Sequence, residues 1–282
     1  MRPLESDYKA RRVRPTLVVT VPIVPIAEMT IKVLGMYRRA VDRRYEGVYV
    51  LRELRSTTPD SLGSPHITLD ICNSSFLSNT LIDEIVKPFG IRVPSVLDLS
   101  SPEISIITRG SVNSRGLVLR STRDSEDSRN NKLIRELAQY VDMGQIKNGK
   151  PALITGFKLR KSLERKGFDY GLCFVPADDF AVIYDDRLTG RWNDYKFDEI
   201  DENGLPLHLD RMRGERTWLT RNDGLSGLSR NLCLTECGRG FFRKEFTLNS
   251  GCPQLDYSGI DNKVVLVPAN YNWRKSLALG GS

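Results

Sequence analysis

Histidine occurs only twice in the 282 residues, cysteine five times, and aromatic side chains make up 8% of the chain. Any imidazole chemistry therefore rests on His66 and His208 alone. The cysteines, Cys72, Cys173, Cys233, Cys237 and Cys252, are odd in number and unevenly spaced, which does not form a disulfide framework. No run of about 18 apolar residues is present, so the sequence holds no membrane-spanning helix. The apolar stretch from Leu17 to Ile26 is broken by Pro22 and Pro25, with no small-residue cleavage site after it, and a secretory signal is not expected there. An intracellular protein with reduced thiols is expected, in cytoplasm or nucleus. Neither glycine-rich phosphate loop, G-x-x-x-x-G-K-[ST] or G-x-G-x-x-G, occurs, so nucleotide-binding readings lack support. No internal repeat of about 20 to 50 residues is visible.

What the chain does have is positive charge, 42 Lys and Arg against 35 Asp and Glu, unevenly spread. Residues 1–60 carry 12 basic and 7 acidic groups, and residues 131–170 carry 9 and 4. Residues 171–210 reverse this, with 3 basic and 10 acidic groups, before 211–282 return to 11 against 6. The basic residues cluster at Arg11, Arg12 and Arg14, at Arg38, Arg39, Arg43 and Arg44, and at Lys158, Arg160, Lys161, Arg165 and Lys166. Clustered cations suit a polyanion, because each one near a phosphate releases a counterion. The plainer reading is solubility. The acidic block fits a solvated loop, a metal site, or a surface that docks on the basic part of another copy.

Periodicity predicts an α+β protein, with a mixed sheet and helices in the first part and mostly β and irregular structure in the second. The expected division is 1–167 and 168–282. A helix is predicted over 27–44, with Ile31, Leu34, Tyr37 and Val41 on its apolar face. Strands are predicted over 16–20, 47–54, 66–71, 104–108, 116–120 and 151–157. A second helix is predicted over 78–89, with Ser78 or Asn79 as N-cap and Pro88–Gly90 as the stop. A third is predicted over 131–143 and a short one over 158–166, which would place Lys158, Lys161 and Arg165 on one face. Residues 168–175 and 180–184 read as a hairpin turning at the intervening PADD. Further strands are expected near 217–220, 241–248 and 263–268.

His66 stands in Pro-His66-Ile67-Thr68-Leu69, where a strand's period of two projects His66 and Thr68 to one face. An imidazole beside a hydroxyl suits phosphate binding and proton exchange near neutral pH. With the order of elements over 16–157, this motif resembles the two-histidine (2H) phosphoesterase family. The resemblance implies a phosphodiesterase with His66 and Thr68 as catalytic residues. The second His-x-Thr motif of that family is missing, since the corresponding stretch reads Lys150-Pro151-Ala152-Leu153-Ile154-Thr155. A degenerate relative is therefore one of the expectations.

His208, Cys233, Cys237 and Cys252 have the residue types of a zinc site, and the C-x3-C spacing is permissive for one. Buried, inert thiols are the commoner outcome. Gly238 to Phe246 (GRGFFRKEF) interleaves Arg243 and Lys244 with phenylalanines. That pattern suits a stacking surface with a basic rim, or a strand with one Phe in the core.

Three readings follow. The first is a basic, non-enzymatic protein that binds nucleic acid such as RNA, or another polyanion, through Arg38, Arg39, Arg43, Arg44, Lys158, Lys161, Arg165, Arg243 and Lys244. The second is a structural subunit of a self-assembling particle, such as a viral structural protein, forming a homo-oligomer through complementary charge blocks. The third is the 2H-like phosphoesterase. The missing second motif favours binding or assembly over catalysis.

Overall fold

A computed structural model describes residues 26–48, 51, 54–56, 71–72, 74–99, 111–119, 128–148, 150–162, 171–185, 195–196, 201–203, 230–235, 245–252 and 262–272. The strands expected at 16–20, 104–108 and 217–220 lie outside them, as does residue 66–70 of the His66 strand.

Helix α1 (Ile26–Arg44) buries Thr30, Val33, Leu34, Tyr37 and Val41. Ile31 was expected in that row, yet it is 71% exposed. At 3.6 residues per turn each three-residue step falls short of a full turn by about 60°. Ile31 is two such steps before Tyr37 and so swings out of the buried face, and Val33 takes the place. After α1, the residues described within the strand expected over 47–54, namely 47, 48, 51 and 54, are not in a strand. Val48 N–H donates to the Tyr45 carbonyl (3.0 Å) and Leu51 N–H to that of Val48 (3.3 Å). Tyr45, Val48, Leu51 and Leu54 are all buried, a repeat of three that matches tight i to i+3 turns and not the period of two a strand requires.

Strand β1 (Arg55–Ser56) pairs antiparallel with β2 (Ile71–Cys72). Helix α2 (Phe76–Val86) starts earlier than expected, because Ser75 and not Ser78 is the N-cap. The Ser75 hydroxyl accepts from Ser78 N–H (3.1 Å) and the Ser78 hydroxyl accepts from Ser75 N–H (2.7 Å), a reciprocal box that satisfies two orphan donors. A 3-10 turn (Lys87–Phe89) follows and ends at Gly90, whose φ of 72° is a left-handed stop. Strand β3 (Ile91–Arg92) and the single turn α3 (Val96–Leu99) lead into β4 (Ser111–Leu119).

The helix expected over 131–143 is two helices, α4 (Ser128–Ala138) and α5 (Met143–Lys147). Asp142 divides them: its carboxylate accepts from Gly144 N–H (2.8 Å) and caps the second. The remaining described elements are strands: β5 (Ala152–Lys161), β6 (Leu172–Tyr184), β7 (Tyr195–Lys196), β8 (Arg230–Thr235), β9 (Glu245–Cys252), β10 (Asn262–Lys263) and β11 (Val267–Pro268).

Two further expectations fail here. Residues 158–161 belong to β5 and not to a helix, so Lys158 and Lys161 do not share a helical face. The PADD segment does not turn the chain, since β6 runs through it. Thr155 pairs with Ala181 and Phe157 with Pro176, so Gly156 alone faces residues 177–180, which form a bulge. The true hairpin is β5–β6, closed by Ser162 N–H donating to the Gly171 carbonyl (2.8 Å). Two alternating runs parted by a short polar segment look alike in sequence whether the chain reverses or bulges.

The architecture is α+β. Among the described residues the main sheet has seven strands, ordered β6-β5-β4-β8-β9-β7, with β10 added in parallel to β4 and the other pairings antiparallel. A separate pair joins β3 to β11. The division expected near residue 167 falls in the connection between β5 and β6, two strands that pair along most of their length. Phe76 of α2, Phe157 of β5 and Phe174 of β6 meet at centroid distances of 5.2 to 5.9 Å and tie α2 to the sheet.

Candidate functional site

The outer face of α1 is basic. Arg38, Arg39, Arg43 and Arg44 are exposed, as expected for residues off the apolar stripe. Arg44 differs from the others, because it pairs with Glu84 of α2. Arg38, Arg39 and Arg43 form no ion pair among the described residues. Lys32 belongs to the same outward stripe, seven residues before Arg39, which is nearly two helical turns. Its ammonium lies 4.6 Å from the centroid of Phe89.

The end of α1 is fixed against β5. The Tyr45 hydroxyl donates to the Leu159 carbonyl at 2.8 Å. Burial, with Glu84 adding to it and Arg44 opposing, pushes the Tyr45 phenol up to about 12, so it remains a proton donor at neutral pH. Leu159 is buried, while its neighbours Lys158 and Arg160 are exposed on the opposite side of the strand. The hydrogen bond therefore anchors the end of α1 on the inner face of β5, while Lys158 and Arg160 leave the strand on the other face, away from the α1 arginines. Arg160 lies 3.7 Å from Glu136 of α4. Lys161 is half-buried, and Arg165, Arg243 and Lys244 lie outside the described residues.

A second cluster was not foreseen from the sequence. Arg115, in the irregular middle of β4, reaches two carboxylates, Asp83 of α2 (2.8 Å) and Asp179 of the β6 bulge (3.1 Å). Lys87 approaches Asp179 from the far side at 3.9 Å. Asp83 is buried and also accepts from Val93 N–H (2.8 Å). Desolvation raises its carboxyl above the ordinary value, against the opposing pull of Arg115. Burial also pushes on Asp179, but Arg115 and Lys87 outweigh it and hold that carboxyl low. A void of about 10 Å3, room for one water, adjoins Asn79, Asp83, Ser114 and Arg115, and the buried Asn79 side-chain oxygen has no hydrogen-bond partner among the described residues. The sequence offered only a single Arg between Ser114 and Gly116, just before the apolar run Leu117–Leu119.

A larger cavity of about 300 Å3 separates α1 from Leu51 and Leu54, with Leu34, Tyr37, Arg38, Val41 and Asp42 on its helical wall. Burial raises the Tyr37 phenol, whose oxygen has no hydrogen-bond partner among the described residues.

The other expected sites are placed only in part. His66, Thr68, His208 and Cys237 lie outside the described residues. Cys233 and Cys252 stand on the paired strands β8 and β9, opposite Asn249 and Asn231. Cys173 is a buried free thiol on β6, raised by desolvation while Arg160 opposes the rise. No described helix is long and apolar enough to cross a membrane. Comparison of the chain with protein-family models, with curated proteins and with solved structures gives no match.

Proposed function

We propose that this chain binds a polyanion, nucleic acid such as RNA being the fitting class, through the outer face of α1, and that it acts by binding and not by catalysis. The observation that carries the reading is the contrast within one helix. Arg44 is neutralised by Glu84, whereas Arg38, Arg39 and Arg43 are exposed and form no ion pair among the described residues. Lys158 leaves β5 on the face opposite the Tyr45–Leu159 contact and is not part of this surface. An intracellular location accords with this role and with a free, buried Cys173.

Replacing Arg38, Arg39 and Arg43 together by Ala tests the reading by fluorescence anisotropy with a generic RNA oligomer, from about 50 to about 500 mM salt. Three lost phosphate contacts should make the slope of log affinity against log salt shallower by about 2. An unchanged slope rules this face out. Assembly through opposite charge blocks is the competing reading. Asp179, within the acidic block, is already engaged by Arg115 and Lys87 of its own chain. Salt-sensitive self-association in light scattering, without RNA, would restore that alternative.

A further inference from the structure

We propose that the nucleic acid held on this face is single stranded, and that one of its bases stacks on Phe89. The inference rests on the polyanion reading and narrows it to a substrate class.

Phe89 is the last residue of the 3-10 turn after α2 and is 50% exposed. A single exposed ring is ordinary on a protein surface, and what distinguishes Phe89 is its setting among cations. Tyr140, also exposed, is partly covered by Phe180 at a centroid distance of 5.5 Å. Phe89 has instead a cation, the Lys32 ammonium 4.6 Å from its centroid. Lys32 continues into Arg39 and Arg43 along the outward stripe of α1, and the stripe spans about 16 Å at 1.5 Å per residue. The backbone that presents the ring is constrained: Pro88 precedes Phe89 within the turn, and Gly90 closes that turn at φ 72° with its N–H donating to the Lys87 carbonyl (3.1 Å).

An aromatic platform at the end of a row of cations matches the two needs of a single strand, a stacking partner for an unpaired base and a track for its phosphates. In a duplex the bases are already stacked on each other and do not reach a protruding ring, so a duplex would use only the cations.

The experiment compares an oligouridylate of about 12 nucleotides with a duplex of similar length, by fluorescence anisotropy at fixed salt. The proteins are the full chain, Phe89→Ala, Phe89→Trp and the double variant Arg39→Ala/Arg43→Ala. Phe89→Ala should weaken single-strand binding roughly 5- to 100-fold with an unchanged salt slope, and should leave duplex binding within about twofold. Phe89→Trp should restore single-strand affinity. Because the ring is exposed, far-UV circular dichroism of both variants should match the parent. Equal weakening of both ligands by Phe89→Ala, or no weakening of either, overturns the stacking role. If Arg39→Ala/Arg43→Ala still weakens both ligands in that case, the polyanion reading survives alone. If the arginine variant has no effect, or the parent binds neither ligand, both fall.

Discussion

Arg115 joins two carboxylates whose surroundings drive their titration in opposite directions. In the folded chain Asp83 binds its proton more tightly than an ordinary carboxylate, chiefly through desolvation, and Asp179 less tightly because of Arg115 and Lys87. The stabilisation from Asp179 is complete above the unfolded carboxylate range, near pH 4, and is lost as pH falls through its lower folded value. Asp83 acts in the other direction. Falling pH favours the folded state as it passes from the raised value of Asp83 toward the unfolded one. Asp179→Asn should therefore flatten the loss of stability below about pH 4, measured by urea unfolding at a series of pH values. An acid limb as steep as the parent's contradicts the assignment. At neutral pH, Asp83→Ala leaves Arg115 without its buried partner and should cost about 3 kcal/mol. A loss below about 1 kcal/mol would show that Asp179 suffices to hold the guanidinium.

At the scale of elements, the β5–β6 pair depends on one residue. Gly156 has φ 66°, and a Cβ added there would lie 2.0 Å from the Asp179 carbonyl oxygen. Gly156→Ala must shift the backbone of the bulge as well as hold Ala in the left-handed region. It should destabilise the chain by about 2 kcal/mol or more. The same bulge carries the carboxylate that Arg115 meets, so the variant should also remove the low titration of Asp179, followed by carboxyl NMR. A melting temperature equal to the parent's is the contrary result. For α2 the controlling feature is smaller. Ser75→Ala removes one half of the reciprocal cap and should cost about 1 kcal/mol in urea unfolding. No change would mean that Ser78 retains the helix start alone.

For the whole molecule, the main sheet decides what folds together. Strands β4 and β5 precede residue 167, yet β4 pairs with β8, and β5 pairs with β6 over nine positions. Phe76 and Phe157 likewise pack on Phe174, beyond that point. A chain ended at residue 167 would expose one face of each of these contacts. It should show no cooperative thermal transition by circular dichroism, whereas the full chain should. A cooperative transition in the fragment would establish the first part as a domain in its own right.

How much of this was legible in the residues follows from the range of the interactions. The sequence alone determined the α+β class, the existence of α1 and α2, the outward position of the α1 arginines, and the stop at Pro88–Gly90. Each depends on periodicity or on caps within a few residues. The tertiary structure alone decided which arginine is neutralised, because Glu84 meets Arg44 across two helices, 40 residues apart in the chain. It also made residues 158–161 a strand. Their charges permit either conformation, and pairing with 172–175 selected one. The Asp83–Arg115–Asp179 cluster and the bond from Tyr45 to the Leu159 carbonyl were beyond reach for the same reason. Side chains 32 to 114 positions apart adopt those contacts only once the sheet has set its register, and no local pattern encodes that register.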